Sequence, residues 1–244
     1  MKTNKLFILY FIFSLFTIKI VGKPETTFNK KSKILYVYDP FEGFNRRVYY
    51  FNYGLDKYIL FPIINAYNFI TPNFVQKGVH NFFDNNRMIK VAANSLLQFK
   101  IKKAMRAVGR FSINASAGFG GLIDTSSALG MPIPYEDFGL TLAHYGVGTG
   151  PYLVLPIFGP SNLRDAIGRG VDAISLAYLD PYLAAELYRE QSKPLTALDG
   201  LDTRKRTSFR YYSTGSPFEY EYLRLLYAKY REIQVKANKT NTAK

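Results

Sequence analysis

Apolar residues recur every three or four positions along most of this chain, and glycine or proline punctuates the recurrence. Phe41, Phe44, Val48, Phe51 and Leu55 alternate spacings of three and four, which sets them in one stripe along a helix. Asp39, Pro40 and Glu42 read as its start: a capping side chain, a proline at the first helical position and an acid three residues past the cap. Pro62 can open a second short helix. Thr71-Pro72 repeats the cap-and-proline start, and Val75, Val79, Phe82 and Phe83 are expected on that helix's buried face. Asp84-Asn85-Asn86 reads as a break. Ile89, Ala93, Leu96 and Leu97 then form a new face, and Ile101, Met105 and Val108 continue the pattern to about Ala117. No run of alternating strand residues appears, so the fold class predicted is all-α, with helices joined by short turns.

The middle changes character. From Gly118 to Pro160 glycine and proline are frequent, with amphipathic fragments at Leu122 to Leu129 and Phe138 to Tyr145. Tyr152 to Phe158 is a short apolar run that could be extended. Ser161 is expected to cap a helix that buries Ile167, Val171, Ile174 and Tyr178, and Pro181 to open the next. Ser216-Pro217 starts a last helix with Phe218, Tyr222, Leu225, Tyr230 and Ile233 along one side. Residues 236–244 read as a basic disordered tail. The stripes fit either a soluble helical core or a protein that embeds aromatic and apolar edges in one leaflet of a bilayer while basic residues meet anionic head groups.

Charge narrows the partners. A formal charge of +14 over 244 residues asks for an acidic partner: nucleic acid, an anionic membrane or acidic protein. Lys2 and Lys5 precede an almost unbroken apolar run, Leu6 to Phe16, and Gly22 is a plausible small residue before a cleavage point. Residues 1–22 are therefore expected to be a signal peptide, with an uncleaved signal anchor as the alternative. Export argues against nucleic acid. Residues 23–38 read as a basic linker and 39–235 as one helical domain. No cysteine is present, which excludes disulfides, thiol nucleophiles and thiolate metal sites.

Signals for chemistry are weak. His80 shows no carboxylate at metal-ligand spacing, and His144 ends a short helix before a glycine-rich stretch. There is no Gly-x-Ser-x-Gly elbow and no His-Glu-x-x-His helix. Gly146-Val147-Gly148-Thr149-Gly150 lacks the Lys-Ser/Thr ending of a phosphate loop and runs into Pro151, so it reads as a turn. Glu136-Asp137 are adjacent and point apart, Glu42 serves as a helix-cap partner of Asp39, and Arg164-Asp165 is a structural polar pair. No catalytic residue, metal or cofactor is expected.

Several segments together carry a resemblance. Asp39-Pro40-Phe41-Glu42-Gly43-Phe44-Asn45-Arg46 with Phe51-Asn52, and Gly118-Phe119-Gly120-Gly121-Leu122-Ile123-Asp124, resemble signatures of the MlaA (VacJ) family. So does the long stretch from Glu136 through His144-Tyr145-Gly146-Val147-Gly148-Thr149-Gly150-Pro151 to Pro156, continuing over Gly159 to Asp165. The resemblance spans roughly Asp39 to Ile233. It implies a ring of amphipathic helices embedded in the inner leaflet of the outer membrane, facing the periplasm, around an amphipathic channel. It implies removal of phospholipid from the outer leaflet, delivery to a periplasmic lipid-carrier protein, and association with a trimeric porin. By the same resemblance Phe51 and Asn52 would support channel shape or gating. His144, Tyr145, Gly146, Gly148, Gly150 and Pro151 would fix a turn or contact lipid. Family members are often lipoproteins acylated on a cysteine, and this chain departs from that pattern. The competing expectations are an exported lipid-processing enzyme centred on His144 and a surface factor in host-cell spread.

Overall fold

The computed structural model describes residues 36–179, 192–207, 209–212 and 215–240. The signal peptide, most of the linker, the helix start at Pro181 and residues 241–244 lie outside them. Val37 onward forms one unit. It contains α1 (Glu42–Leu55), a π-helical turn (Asp56–Leu60), α2 (Phe61–Ile70), α3 (Asn73–Leu97), α4 (Ile101–Ser116), α5 (Thr125–Ala128) and α6 (Phe138–His144). The hairpin β1 (Tyr152–Leu155) and β2 (Gly159–Asn162) follows, then α7 (Leu163–Leu179), α8 (Ser192–Arg206) and α9 (Glu219–Thr240). The fold is all-α apart from this hairpin, whose antiparallel register pairs Tyr152 with Asn162 and Leu155 with Gly159.

Helix starts depart from expectation. Asp39 does not cap α1: Phe41 occupies the cap position with no side-chain bond, and Glu42 is the first helical residue. The Asp39 carboxylate instead accepts from Asn45 Nδ2 (2.8 Å), Tyr220 (2.5 Å) and Arg224 (2.9 Å). Glu42 pairs with Arg46 one turn on and with Arg224, so both acids tie α1 to α9. Pro62 stands in the first turn of α2, as expected, where a missing N–H is tolerated. The helix does not start from a free end: a π-turn closed by Phe61 N–H to Asp56 C=O leads directly into it from α1. Asn162, not Ser161, caps α7, its Oδ1 accepting the Asp165 N–H at 2.8 Å. The expected break at Asp84-Asn85-Asn86 is absent. Asn85 is buried, Asp84 binds Arg87 within the helix, and packing of α3 on α4 outweighs weak local propensity. Residues 236–240 are helical rather than disordered, since Asn238 is buried against Gln98 and Lys100. Val37 and Tyr38 also leave the linker: Val37 packs on the core and the Tyr38 carbonyl accepts the Tyr152 N–H at 2.9 Å.

The largest departure concerns which faces are inside. Ile101, Met105 and Val108 on α4, Leu96 and Leu97 on α3, Ile167 and Ile174 on α7, and Tyr222, Tyr230 and Ile233 on α9 are exposed. Their helices bury Ala104, Ala107, Arg110 and Asn114, then Asn85, Asn94 and Ser95, then Arg164, Asp165 and Asp172, then Tyr220, Leu223, Arg231 and Asn238. Among the described residues two apolar clusters stand out. Tyrosines dominate one, where Tyr49 meets Tyr211, Tyr212 and Tyr220 edge-on around Val48, Val154 and Leu223. Met88, Val91, Ala92 and Ala107 form the smaller one between α3 and α4. Among the described residues, polar and charged side chains outnumber apolar ones in the interior, while Phe69 is 92% exposed and Phe99 80%. A water-soluble core would be sorted the other way. No described helix is long and apolar enough to cross a membrane.

Candidate functional site

The polar interior is a set of linked networks. Arg231 donates to Asp165 through Nε (2.7 Å) and to Asp137 through Nη1 (2.8 Å), joining α9 to α7 and to the cap of α6. Burial opposes charge on both acids, but the guanidinium outweighs it and holds both carboxyls below the usual carboxylate range. Asp165 also accepts from Arg164, Asn162 and Tyr227, so the expected Arg164–Asp165 pair is present within a larger cluster. Asp137 caps α6 by accepting the Leu140 N–H at 2.7 Å. Its neighbour Glu136 points elsewhere, to Gln98, Lys100 and Lys103. A third group joins Asn94, Thr141 and Asp172, and burial pushes the Asp172 carboxyl above its ordinary value despite Lys90 nearby.

The residues singled out from the sequence separate on this frame. Asn52 is buried; its Nδ2 donates to Leu155 C=O (3.0 Å) and its Oδ1 accepts from Ile157 N–H (2.8 Å). Phe51, one position away, points outward and is 54% exposed. Asn45, two turns before Asn52, bonds both Val154 N–H and Tyr152 C=O and clamps the same strand. Its role was missed. The signal was a second asparagine seven residues earlier on one helix face.

His144 ends α6, with its ring edge-on to Tyr145. Gly146, at φ +87°, terminates the helix: its N–H bonds Ala143 C=O and the Val147 N–H bonds Leu142 C=O, a Schellman closure. Tyr145 donates to Leu97 C=O at 2.5 Å, tying this turn to the end of α3. Gly148 and Gly150 are exposed in the irregular segment leading to the hairpin. The Pro151 carbonyl accepts the Leu163 N–H at 3.0 Å. Of the eight residues, His144, Tyr145 and Gly146 thus form the end of α6, Gly148, Gly150 and Pro151 follow on the way to the hairpin, and Asn52, without Phe51, meets the hairpin itself. His80 does face carboxylates: Asp84 lies 3.3 Å from Nε2 and Asp202 3.5 Å from Nδ1. Asp84 is its i+4 neighbour, and Asp202 is brought by α8.

Comparisons with known proteins agree with this framework. A protein of Rickettsia felis is 48% identical over 131 residues, covering 54% of this chain and 52% of that protein. The intermembrane phospholipid transport system lipoprotein MlaA of Escherichia coli K12 is 39% identical over 138 residues, 55% of each chain. The chain spans about half the length of the curated relatives it matches. A solved structure described as the structural basis for maintenance of bacterial outer membrane lipid asymmetry matches with a TM-score of 0.56 and 35% identity, covering 68% of this chain and 82% of that one. The family model for the MlaA lipoprotein matches residues 37–234, and this chain belongs to that family.

Proposed function

We propose that this protein moves phospholipid at the outer membrane, maintaining lipid asymmetry without a chemical step. The observation that carries this is the inversion of its helices, apolar faces outward over a bonded polar interior. Exposed Phe, Ile and Leu lower their free energy in acyl chains, by roughly 1.5–3 kcal/mol for each side chain fully transferred. The buried ionic networks offer a head group a route away from hydrocarbon.

On this reading the helices sit in the inner leaflet around an amphipathic channel, facing the periplasm. A trimeric porin holds the protein there, and a periplasmic lipid-carrier protein takes the lipid. None of the 244 residues is a cysteine, so the exposed helix faces, the porin or a retained leader would replace the acyl anchor of relatives named as lipoproteins. Asn52 supports channel shape, Phe51 meets lipid, and His144 to Pro151 form the turn beside the route. A passive path cannot set direction, which must come from the carrier.

The test is complementation of a bacterium lacking its own family member, with export of this chain confirmed and outer-leaflet phospholipid measured. Restored asymmetry is expected. Persistent outer-leaflet phospholipid, also after fusion to a lipoprotein signal and acylated cysteine, would defeat the proposal. His144→Ala should transport normally; loss of lipid turnover with folding and lipid binding intact would point to an enzyme instead.

A further inference from the structure

A pocket of mixed lining opens between α3, α4 and the segment after α4, where Met88 and Ile133 stand beside Asp84, Asn85, Arg110 and Asp124. Asp124, the last residue of the Gly118 to Asp124 motif, is part of the lining. Gly121, at φ +95°, lies so close to Asn85 that a Cβ there would stand 2.9 Å from the Asn85 amide nitrogen. Most polar atoms in the pocket are committed. Asp124 accepts from Arg110, Asn114 and Ser127, Arg110 also donates to Met131 C=O, and Asp84 binds Arg87.

Two atoms are not. Asn85 and Arg110 are each 3% exposed, yet Asn85 Oδ1 and Arg110 Nε have no hydrogen-bond partner in the protein. An unmet buried polar group costs about 1–3 kcal/mol, which a ligand of the right chemistry recovers. The pocket therefore wants an acceptor for Arg110 and an N–H or O–H donor for Asn85. Its charge is biased: with Arg87, Arg206, Asp199 and Asp202 packed around it, carboxylates still outnumber guanidinium groups.

Resting on the lipid-transport reading, we propose that this pocket recognises the zwitterionic phosphoethanolamine head group of a phospholipid. A phosphate oxygen accepts from Arg110 Nε–H, and the primary ammonium donates to Asn85 Oδ1 beside the acids. Phosphoglycerol offers hydroxyl donors but brings net negative charge to an acid-rich wall. Phosphocholine carries the cation without an N–H.

The full chain, in maltoside detergent, would be titrated calorimetrically with dihexanoyl phosphatidylethanolamine, phosphatidylglycerol and phosphatidylcholine below their micellar concentrations. Phosphatidylethanolamine is expected to bind about tenfold more tightly than the other two, the worth of one charge-assisted bond. Asn85→Leu should erase the preference. Asn85→Asp, which keeps the shape, should retain phosphatidylethanolamine and weaken phosphatidylglycerol further. Circular dichroism and melting check that each variant folds, and the wild-type comparison stands if Asn85→Leu does not. Equal affinity for the three lipids, or a preference unmoved by a folded variant, overturns the head-group assignment alone. Failure to bind any of them overturns the lipid-transport reading with it.

Discussion

Asn52 holds Ile157 in a backbone conformation that isoleucine rarely adopts. The Asn52 Oδ1 accepts the Ile157 N–H at 2.8 Å while Ile157 sits at φ +69°. A β-branched residue there costs about 1–2 kcal/mol. The Asn52 clamp thus offsets local strain at the hairpin turn.

Ile157→Gly is accordingly expected to stabilise the fold by about 1 kcal/mol, and Asn52→Ala to destabilise it by about 1–2 kcal/mol through two lost bonds. Denaturant unfolding in detergent measures both. Equal, small effects would mean that the hairpin is held elsewhere.

Arg231 is the single cation between two acids contributed by different helices, Asp165 on α7 and Asp137 at the start of α6. Arg231→Met would leave both carboxylates without their main partner, and a loss of about 3–5 kcal/mol is expected. A loss below about 1 kcal/mol would show that Arg164, Asn162 and Tyr227 suffice for Asp165.

The acids set opposite pH dependences. Asp137 and Asp165, with folded pKa values held down, contribute stability that is present above the ordinary carboxylate value of about 3.9 and lost as pH falls below it. Asp172 has a raised folded pKa, so its folded state binds more protons and stability declines as pH rises from about 3.9 through that raised value. Asp172→Asn should shrink the decline, with Asp199, raised by burial too, supplying the remainder. An unchanged pH profile of unfolding would contradict this.

A chain ending at Val235 tests the last turns of α9. Asn238 bonds both Lys100 and Gln98 in the interior, where burial, with the charge of Lys103 beside it, lowers the Lys100 pKa against the pull of Glu136. Losing Asn238 should cost about 1–3 kcal/mol and lower the melting temperature. A disordered tail would make the truncation silent.

Replacing Phe69, Ile70 and Phe74 by serine removes three of the most exposed apolar side chains, at the α2–α3 junction. Each is worth roughly 1.5–3 kcal/mol if it enters hydrocarbon, so partition onto phospholipid vesicles should fall at least about a hundredfold. Sedimentation with vesicles reads the change. Unaltered partition would place the membrane-facing surface on another edge.

Much of the candidate site was legible locally. Helical spacing located α1, α6 and the start of α9 within a few residues but ran through the break at Phe99, φ +58°, that separates α3 from α4, and the signatures around Asn52 and His144 matched the family that covers residues 37–234. Gly146 was recognisable as a turn because a helix end needs positive φ there. The clamp by Asn45, the pairing of His80 with Asp202 and the anchoring of Asn238 were not legible, since each partner lies far along the chain. Local composition also misjudged Asp84-Asn85-Asn86, whose helix survives on contacts made elsewhere.

The sequence by itself determined that the chain is a set of amphipathic helices, because a period of three to four is a property of each segment alone. It could not determine which face turns inward. Periodicity separates an apolar from a polar side without saying which one meets the protein. Only the tertiary structure decided that, by bringing Asp165 and Asp137, 66 and 94 positions away, onto Arg231. Charges paired this way can be buried, and the apolar stripes are then left outside.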